Sequence, residues 1–361
     1  MDAEKQQNEP DNLTIDPQLT KLKAKQYVYS HDELKQRIKE IGSEKYLIEG
    51  LLPDRSLSLL VGDSGVGKSP LVYQMAVCIA AGIPFLGRAV KQGRVLCMDF
   101  ENGIGQVDEM LDNLYQHLGL SEPPKNLIFW NINDADPKYG QKGYTALDTI
   151  RREKPDFVIV DALTGMFPEV EKDNSIATKH LQQFRELIRD YGTSILALHH
   201  TKKPSDDTRF APPSLESSPN IRIWFNQARG ARAIINGSDI RIGVDIPEFA
   251  NHQITDGKTK EEIALVMKGF ARIKGDIPLT YLSRHCDENG EPLGYGLVKG
   301  SNLLFDKEQE EALAKLPDKF KFKDAKQALG KADEATDKFL KKCIGLGLIR
   351  KIGKKEGYEK L

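Results

Sequence analysis

Gly62-Asp63-Ser64-Gly65-Val66-Gly67-Lys68-Ser69 has the spacing G-x-x-x-x-G-K-S, and each fixed position has a physical use. Glycines let successive backbone N–H groups turn inward as an anion nest, and a helix that starts at the lysine adds the positive end of its dipole. Lys68 is then placed to reach the terminal phosphates of a bound triphosphate, ATP, and Ser69 to give its hydroxyl oxygen to Mg2+. Pro70 has no N–H, but in a first helical turn that N–H lacks an intrahelical partner. Residues Gly62 to Pro70 are therefore the expected nucleotide-binding set.

A metal-bound triphosphate also calls for a carboxylate at a neighbouring strand end. The apolar run Phe157-Val158-Ile159-Val160 delivers Asp161 there, and Asp161 joins Ser69 as the expected metal ligand. Hydrolysis needs a group that deprotonates water; Glu101, after Val95-Leu96-Cys97-Met98-Asp99-Phe100, is the expected general base. Asp99, two residues earlier and so expected on the same face, is the alternative. His199 and His200 end another strand, beside the ligand crevice of a parallel sheet. One of them is expected to hydrogen-bond the γ-phosphate and sense its loss, and the other to contact DNA. The residues alone do not separate the two; His199 is taken as the catalytic candidate beside Lys68 and Glu101.

These groups need a scaffold of strands alternating with helices, which implies crossover units and a mostly parallel sheet. Leu57 to Val61, Arg94 to Phe100, Asn126 to Trp130, Phe157 to Val160 and Thr193 to Leu198 read as strands. Pro70 to Ala81, Tyr144 to Glu153 and Ala177 to Tyr191 read as helices between them, after a short amphipathic helix over 30–41. Beyond a proline-rich loop over 202–220, β-rich segments around 240–246, 263–270, 279–284 and 295–298 predict an antiparallel extension. From about 306 the order becomes three helices and a hairpin around Gly353-Lys354-Lys355, which is how a winged helix-turn-helix reads, with 333–345 as recognition helix. The expected division is a flexible arm over 1–26, an ATPase domain over 27–304 and a winged-helix domain over 305–361.

The chain of 361 residues carries a net charge of −1, which argues against wholesale attraction to nucleic acid. Charge is concentrated locally: residues 319–361 hold 13 Lys and Arg against 6 Asp and Glu, 13 − 6 = +7. Lys338, Lys341 and Lys342 lie on the expected recognition helix and Arg350, Lys351, Lys354 and Lys355 on the wing, suited to duplex phosphates. Cys78, Cys97, Cys286 and Cys343 are scattered singly and are expected to pack as small apolar residues. No apolar run approaches the roughly 18 residues of a membrane-spanning helix, and the start has no apolar centre, so a cytoplasmic protein without membrane contact is expected.

Taken together, these landmarks resemble the RecA-like ATPases and, within them, the RepA-type plasmid helicases and their phage and mobile-element relatives. The resemblance rests on Leu47-Ile48-Glu49-Gly50-Leu51-Leu52-Pro53, Met98-Asp99-Phe100-Glu101-Asn102, Val160-Asp161-Ala162-Leu163-Thr164, Leu198-His199-His200-Thr201-Lys202 and Ala228-Arg229-Gly230-Ala231-Arg232. It implies a homohexameric ring that hydrolyses ATP between subunits, with an arginine from one completing its neighbour's site. Arg229 occupies the matching position. Where the family has two serines this chain has Ala231-Arg232, which leaves the assignment between Arg229 and Arg232. Lys268 resembles a further basic residue at the subunit interface. Pore loops of such rings would place Lys202, Lys203 and Arg209 on single-stranded DNA. The expected function is an ATP-dependent helicase or translocase on single-stranded DNA, in replication of a plasmid, phage or mobile element. The alternatives are a recombinase-like or loader ATPase that assembles on DNA without unwinding, and an ATP-switched DNA-binding regulator.

Overall fold

The computed structural model describes residues 28–41, 46–131, 142–202, 213–218, 220–247, 253–255, 260–272, 275–298, 307–345, 348–353 and 357–360. The chain forms two compact units, Met1–Lys45 and Tyr46–Leu361. In the first, α1 (His31–Ile41) starts at a capping box in which Glu33 N–H donates to Ser30 Oγ at 3.3 Å and Ser30 N–H to Glu33 Oε2 at 2.7 Å.

The second unit is α/β with a RecA-like P-loop core. A small hairpin, β1 (Tyr46–Ile48) and β2 (Leu52–Pro53), precedes β3 (Leu57–Gly62) and α2 (Lys68–Ala81). Then come β4 (Val95–Asp99), α3 (Ile104–Leu118), β5 (Leu127–Asn131), α4 (Lys142–Glu153), β6 (Phe157–Asp161), α5 (Leu163–Met166), α6 (Asn174–Tyr191) and β7 (Ser194–His200). After α7 (Ile221–Trp224) and α8 (Arg232–Asn236) follow β8 (Ile240–Asp245), β9 (Gln253–Thr255), β10 (Lys260–Ala271), β11 (Asp276–Cys286) and β12 (Pro292–Leu297).

Strands β5-β4-β6-β7-β3-β8 lie side by side in parallel, and β10, β11 and β12 continue the sheet antiparallel, with β9 paired to β10. Strands β3, β4 and β6 are buried at every residue, as a parallel sheet covered on both faces requires. Their alternation sorts the core: Leu57, Leu59 and Val61 face one apolar cluster and Leu60 the other. Helix α2 is apolar nearly all round and fills the second cluster, whereas amphipathic α6 lays Ala177, Leu181, Phe184 and Leu187 on the first.

The longest helix that goes unforeseen in the sequence reading is α3; the short α5, α7 and α8 go unforeseen too. In α3 Val107, Leu111 and Leu114 are buried at helical spacing, Gly103 stands at the N-cap, and left-handed Gly119 ends the helix at φ 67°.

The C-terminal elements are α9 (Lys307–Lys315), β13 (Lys319–Phe320), α10 (Phe322–Leu329), α11 (Asp333–Gly345), β14 (Ile349–Gly353) and β15 (Gly357–Lys360), with strand order β13-β15-β14. Leu316, Phe320, Ala325, Leu329, Phe339, Leu340 and Cys343 belong to the same apolar cluster as Leu279, Tyr281 and Val298 of the large sheet. Helix α11 packs against β11, so this module shares a core with the sheet. The expected boundaries at 26/27 and 304/305 lie outside the described residues. Cys78, Cys97 and Cys343 are buried, but Cys286, at the end of β11, is exposed, contrary to the expectation for all four. Among the described residues no helix is long and apolar enough to cross a membrane.

Candidate active site

Strand β3 runs straight into the phosphate loop, and α2 begins at Lys68. Gly67 is the N-cap at φ 101°, a conformation that strains any residue with a side chain. A Cβ there would also run into the hydroxyl of Tyr295, on β12. Tyr295 is fixed by Gln74 of α2, whose side chain donates to Tyr295 O and accepts from Tyr295 N–H, each at 2.8 Å. Nothing local in the sequence joins Tyr295 to the loop; only the curl of the antiparallel extension over α2 does.

The Lys68 ammonium donates to Gly62 O at 3.1 Å and Asp63 O at 2.6 Å and lies 3.4 Å from His200 Nδ1. Burial lowers its pKa, opposed by the charges of Asp161, Glu101 and Asp63. An ammonium has only donors, so Nδ1 of His200 accepts and its Nε2–H donates to Glu101 Oε1, 3.1 Å away. That hydrogen bond is the largest influence holding the Glu101 carboxyl below its usual pKa; the charge of Lys68 acts the same way and burial opposes them. Glu101 is thus a carboxylate at neutral pH. Its side chain is 41% exposed, within reach of water.

His200 therefore stands where His199 was expected. Strand pairing decides this: β7 runs beside β3 with His200 level with Gly62, the first residue of the loop. His199 points to the other face and is fully buried, with Nε2–H donating to Arg229 O at 2.7 Å and Nδ1 without a partner among the described residues. Burial pushes its pKa down to about 4, so it stays neutral.

Asp99 does not share Glu101's face, because β4 ends at Asp99 and Glu101 lies on the turn beyond. Its buried carboxylate is saturated. Oδ1 accepts from Glu101 N–H at 2.8 Å and Asn102 N–H at 2.7 Å, and Oδ2 from Tyr73 Oη–H at 2.6 Å and Asn102 Nδ2–H at 2.8 Å. Asp99 shapes the turn that presents Glu101, a task unsuited to a proton acceptor for water.

Asp161 ends β6 level with Asp99 and is 1% exposed. Burial raises its pKa to about 7, opposed by the Ser69 hydroxyl that hydrogen-bonds it and by Lys68. Its Oδ2 is buried without a partner among the described residues, a costly state for a carboxylate oxygen and one that a hard divalent cation would relieve. Ser69 and Asp161 thus have the chemistry to hold Mg2+.

The segment carrying the arginines is tied to the end of β7: Arg229 N–H donates to His200 O at 2.9 Å and Lys202 N–H to Gln227 O at 2.7 Å. The Arg229 side chain is 58% exposed and pairs with Glu171. Arg232 is separate from it. It opens α8, donates to Asn226 Oδ1 at 3.3 Å and lines a groove of about 440 Å³ with Arg185 and Asn174.

Basic residues expected on DNA fare differently. Lys202 is exposed and reaches Asn226 O at 3.3 Å; Lys203, Arg209, Lys354 and Lys355 lie outside the described residues. Half-buried Lys268 lies 3.5 Å from Ser218 O and close enough to Lys341 for its pKa to be lowered, chiefly by burial. On α11, Lys338 pairs with Glu334 at 3.4 Å, Lys341 with Asp337 at 2.6 Å, and buried Lys342 reaches Gln309 at 3.4 Å. A cleft of about 310 Å³ lined by Glu216, Tyr281, Lys338 and Lys341 lies between α11 and the large sheet. That face of the helix looks toward the sheet.

The profile of the AAA domain matches residues 23–206, which hold Gly62–Ser69, Glu101, Asp161 and His200. No curated protein matches the chain. The profile spans just over half of the 361 residues, and the chain belongs to the AAA domain family, as an AAA-type P-loop ATPase whose family membership implies nucleotide binding with a divalent metal.

Proposed function

We propose that this protein is an ATP-driven helicase or translocase acting on single-stranded DNA as a homohexameric ring, in the replication of a plasmid, phage or mobile element. The observation that supports a motor most directly is His200, joined to Lys68 on one side and Glu101 on the other. It touches both the residue that would hold the terminal phosphate and the one that would activate water. Glu101 takes a proton from water as the water oxygen attacks the γ-phosphorus; the bond to the β,γ-bridging oxygen breaks and ADP leaves. Lys68 neutralises charge on the phosphates, and His200, a donor to Glu101, responds when the γ-phosphate departs. Mg2+ held by Ser69 and Asp161 supplies Lewis-acid charge on the phosphate oxygens when bound. Arg229, exposed at the end of β7, is the guanidinium offered to the site of an adjacent copy. Helix α11, turned toward the large sheet, favours the C-terminal winged helix as a fixed part of this motor over a reader of duplex DNA.

Strand displacement on a tailed duplex tests the reading. Wild-type protein is expected to hydrolyse ATP faster with single-stranded DNA and to separate the strands; Lys68→Ala loses nucleotide binding, and Glu101→Gln keeps it while kcat falls by roughly 10²- to 10⁴-fold. ATPase activity indifferent to DNA, without strand separation, overturns it.

A further inference from the structure

We propose that Glu171 is the positioning residue for Arg229, fixing the guanidinium that one copy of the chain offers to the next. The inference rests on the reading that Arg229 acts in a neighbour's site, and adds what sets its position.

The backbone of Arg229 is held from both sides. Its N–H donates to His200 O at 2.9 Å and its carbonyl accepts from His199 Nε2–H at 2.7 Å. Upstream, Thr201 and Ala228 form a bridge; downstream, Ala233 N–H donates to Asn174 Oδ1 at 2.9 Å, on the first turn of α6. These bonds fix Cα but not the four flexible torsions beyond it. The described contact that fixes the charged end is Glu171, in the turn before α6, whose Oε2 lies 3.1 Å from Arg229 Nε.

Two features separate this pair from an incidental surface ion pair. Glu171 is only 18% exposed, and its Oε1 is buried with no hydrogen-bond partner among the described residues. A carboxylate half-satisfied in this way costs stability, so its placement serves something other than folding. Gly230 adds the second feature. It sits at φ +73°, with its backbone so close to Glu171 that a Cβ would come within 2.5 Å of Glu171 Cβ. A glycine is required there for the carboxylate to lie beside the arginine. The arrangement also makes Arg229 one hydrogen bond removed from His200, the side chain that touches Lys68 and Glu101 in the same copy.

Mixing copies tests this. A Lys68→Ala copy has a disabled site but keeps Arg229; an Arg229→Ala copy has an intact site and no arginine. Each alone is expected to be inactive, and the mixture to regain ATP turnover. Adding Glu171→Gln to the Lys68→Ala copy should cut the regained turnover roughly 10- to 100-fold with KM unchanged, the scale of a misplaced group. Adding it to the Arg229→Ala copy should change nothing. Gly230→Ala, which keeps both charges but parts them, should behave in the same donor-only way. Regained turnover that survives Glu171→Gln in the donor, or falls equally from either copy, overturns the assignment of Glu171. An active Arg229→Ala protein, or no recovery in the parent mixture, overturns instead the reading of Arg229 on which it rests.

Discussion

Two adjacent histidines end β7, and their environments are opposite. His200 lies on the nucleotide side between two charged groups, while His199 is buried and neutral with a pKa near 4. The sequence shows both at a strand end, and alternation puts them on opposite faces, but which face holds the phosphate loop depends on the register of β7 against β3, residues more than a hundred positions apart. The cost of burying His199 has a definite pH signature. Its folded pKa is depressed from about 6.5 to about 4, so between those values the unfolded chain binds a proton that the folded chain refuses. Stability attributable to this residue is present above pH 6.5 and is lost as the pH falls toward 4, about 3 kcal/mol in all. His199→Gln should flatten the dependence of unfolding free energy on pH over that window by about one proton, as measured by urea unfolding at pH 7, 6 and 5. An unchanged slope would mean that His199 is protonated in the folded protein.

At the scale of elements, the turn after β4 shows why Asp99 resists reading from sequence. Two carboxylates two residues apart suggest one face of a strand, yet β4 stops at the first of them and the chain turns back on its own carboxylate. The competing principle is local: an aspartate accepts from backbone N–H groups two and three residues ahead as readily as it ends a strand. Phosphate loop, β6 with Asp161 and the mostly parallel character of the sheet were legible because each depends on short contiguous patterns; the order of the strands was not read. Tyr295, Glu171 and the unforeseen α3 were not; the first two depend on contacts made only after the sheet closes. Asp99→Ala should cost roughly 2–4 kcal/mol of stability, since Tyr73, Asn102 and the turn N–H groups lose their acceptor. Turnover should fall with little change in KM, because Glu101 loses its support while the phosphate loop keeps its own. Chemical denaturation and steady-state kinetics on one preparation would check both.

For the whole molecule, the C-terminal module was legible as an order of helices and strands, but its relation to the rest was not. A sequence that reads as an independent domain with a basic recognition helix folds with that helix against β11, its lysines paired to acids on the same helix or buried. Phe339, 1% exposed, lies in a cluster that also takes in Leu279 and Tyr281 of β11. Both tryptophans of the chain, Trp130 and Trp224, belong to the large sheet or the helices on it. Phe339→Ala should lower stability by about 3–5 kcal/mol. The unfolding midpoint seen by tryptophan fluorescence should shift with it, although no tryptophan lies in the module; a midpoint that stays put would mean the module melts by itself. The shared apolar cluster thus makes intrinsic fluorescence a remote reporter: a ligand that loosens the C-terminal helices would announce itself in the emission of Trp224, buried in that cluster, and Trp130, packed against it, with no label attached.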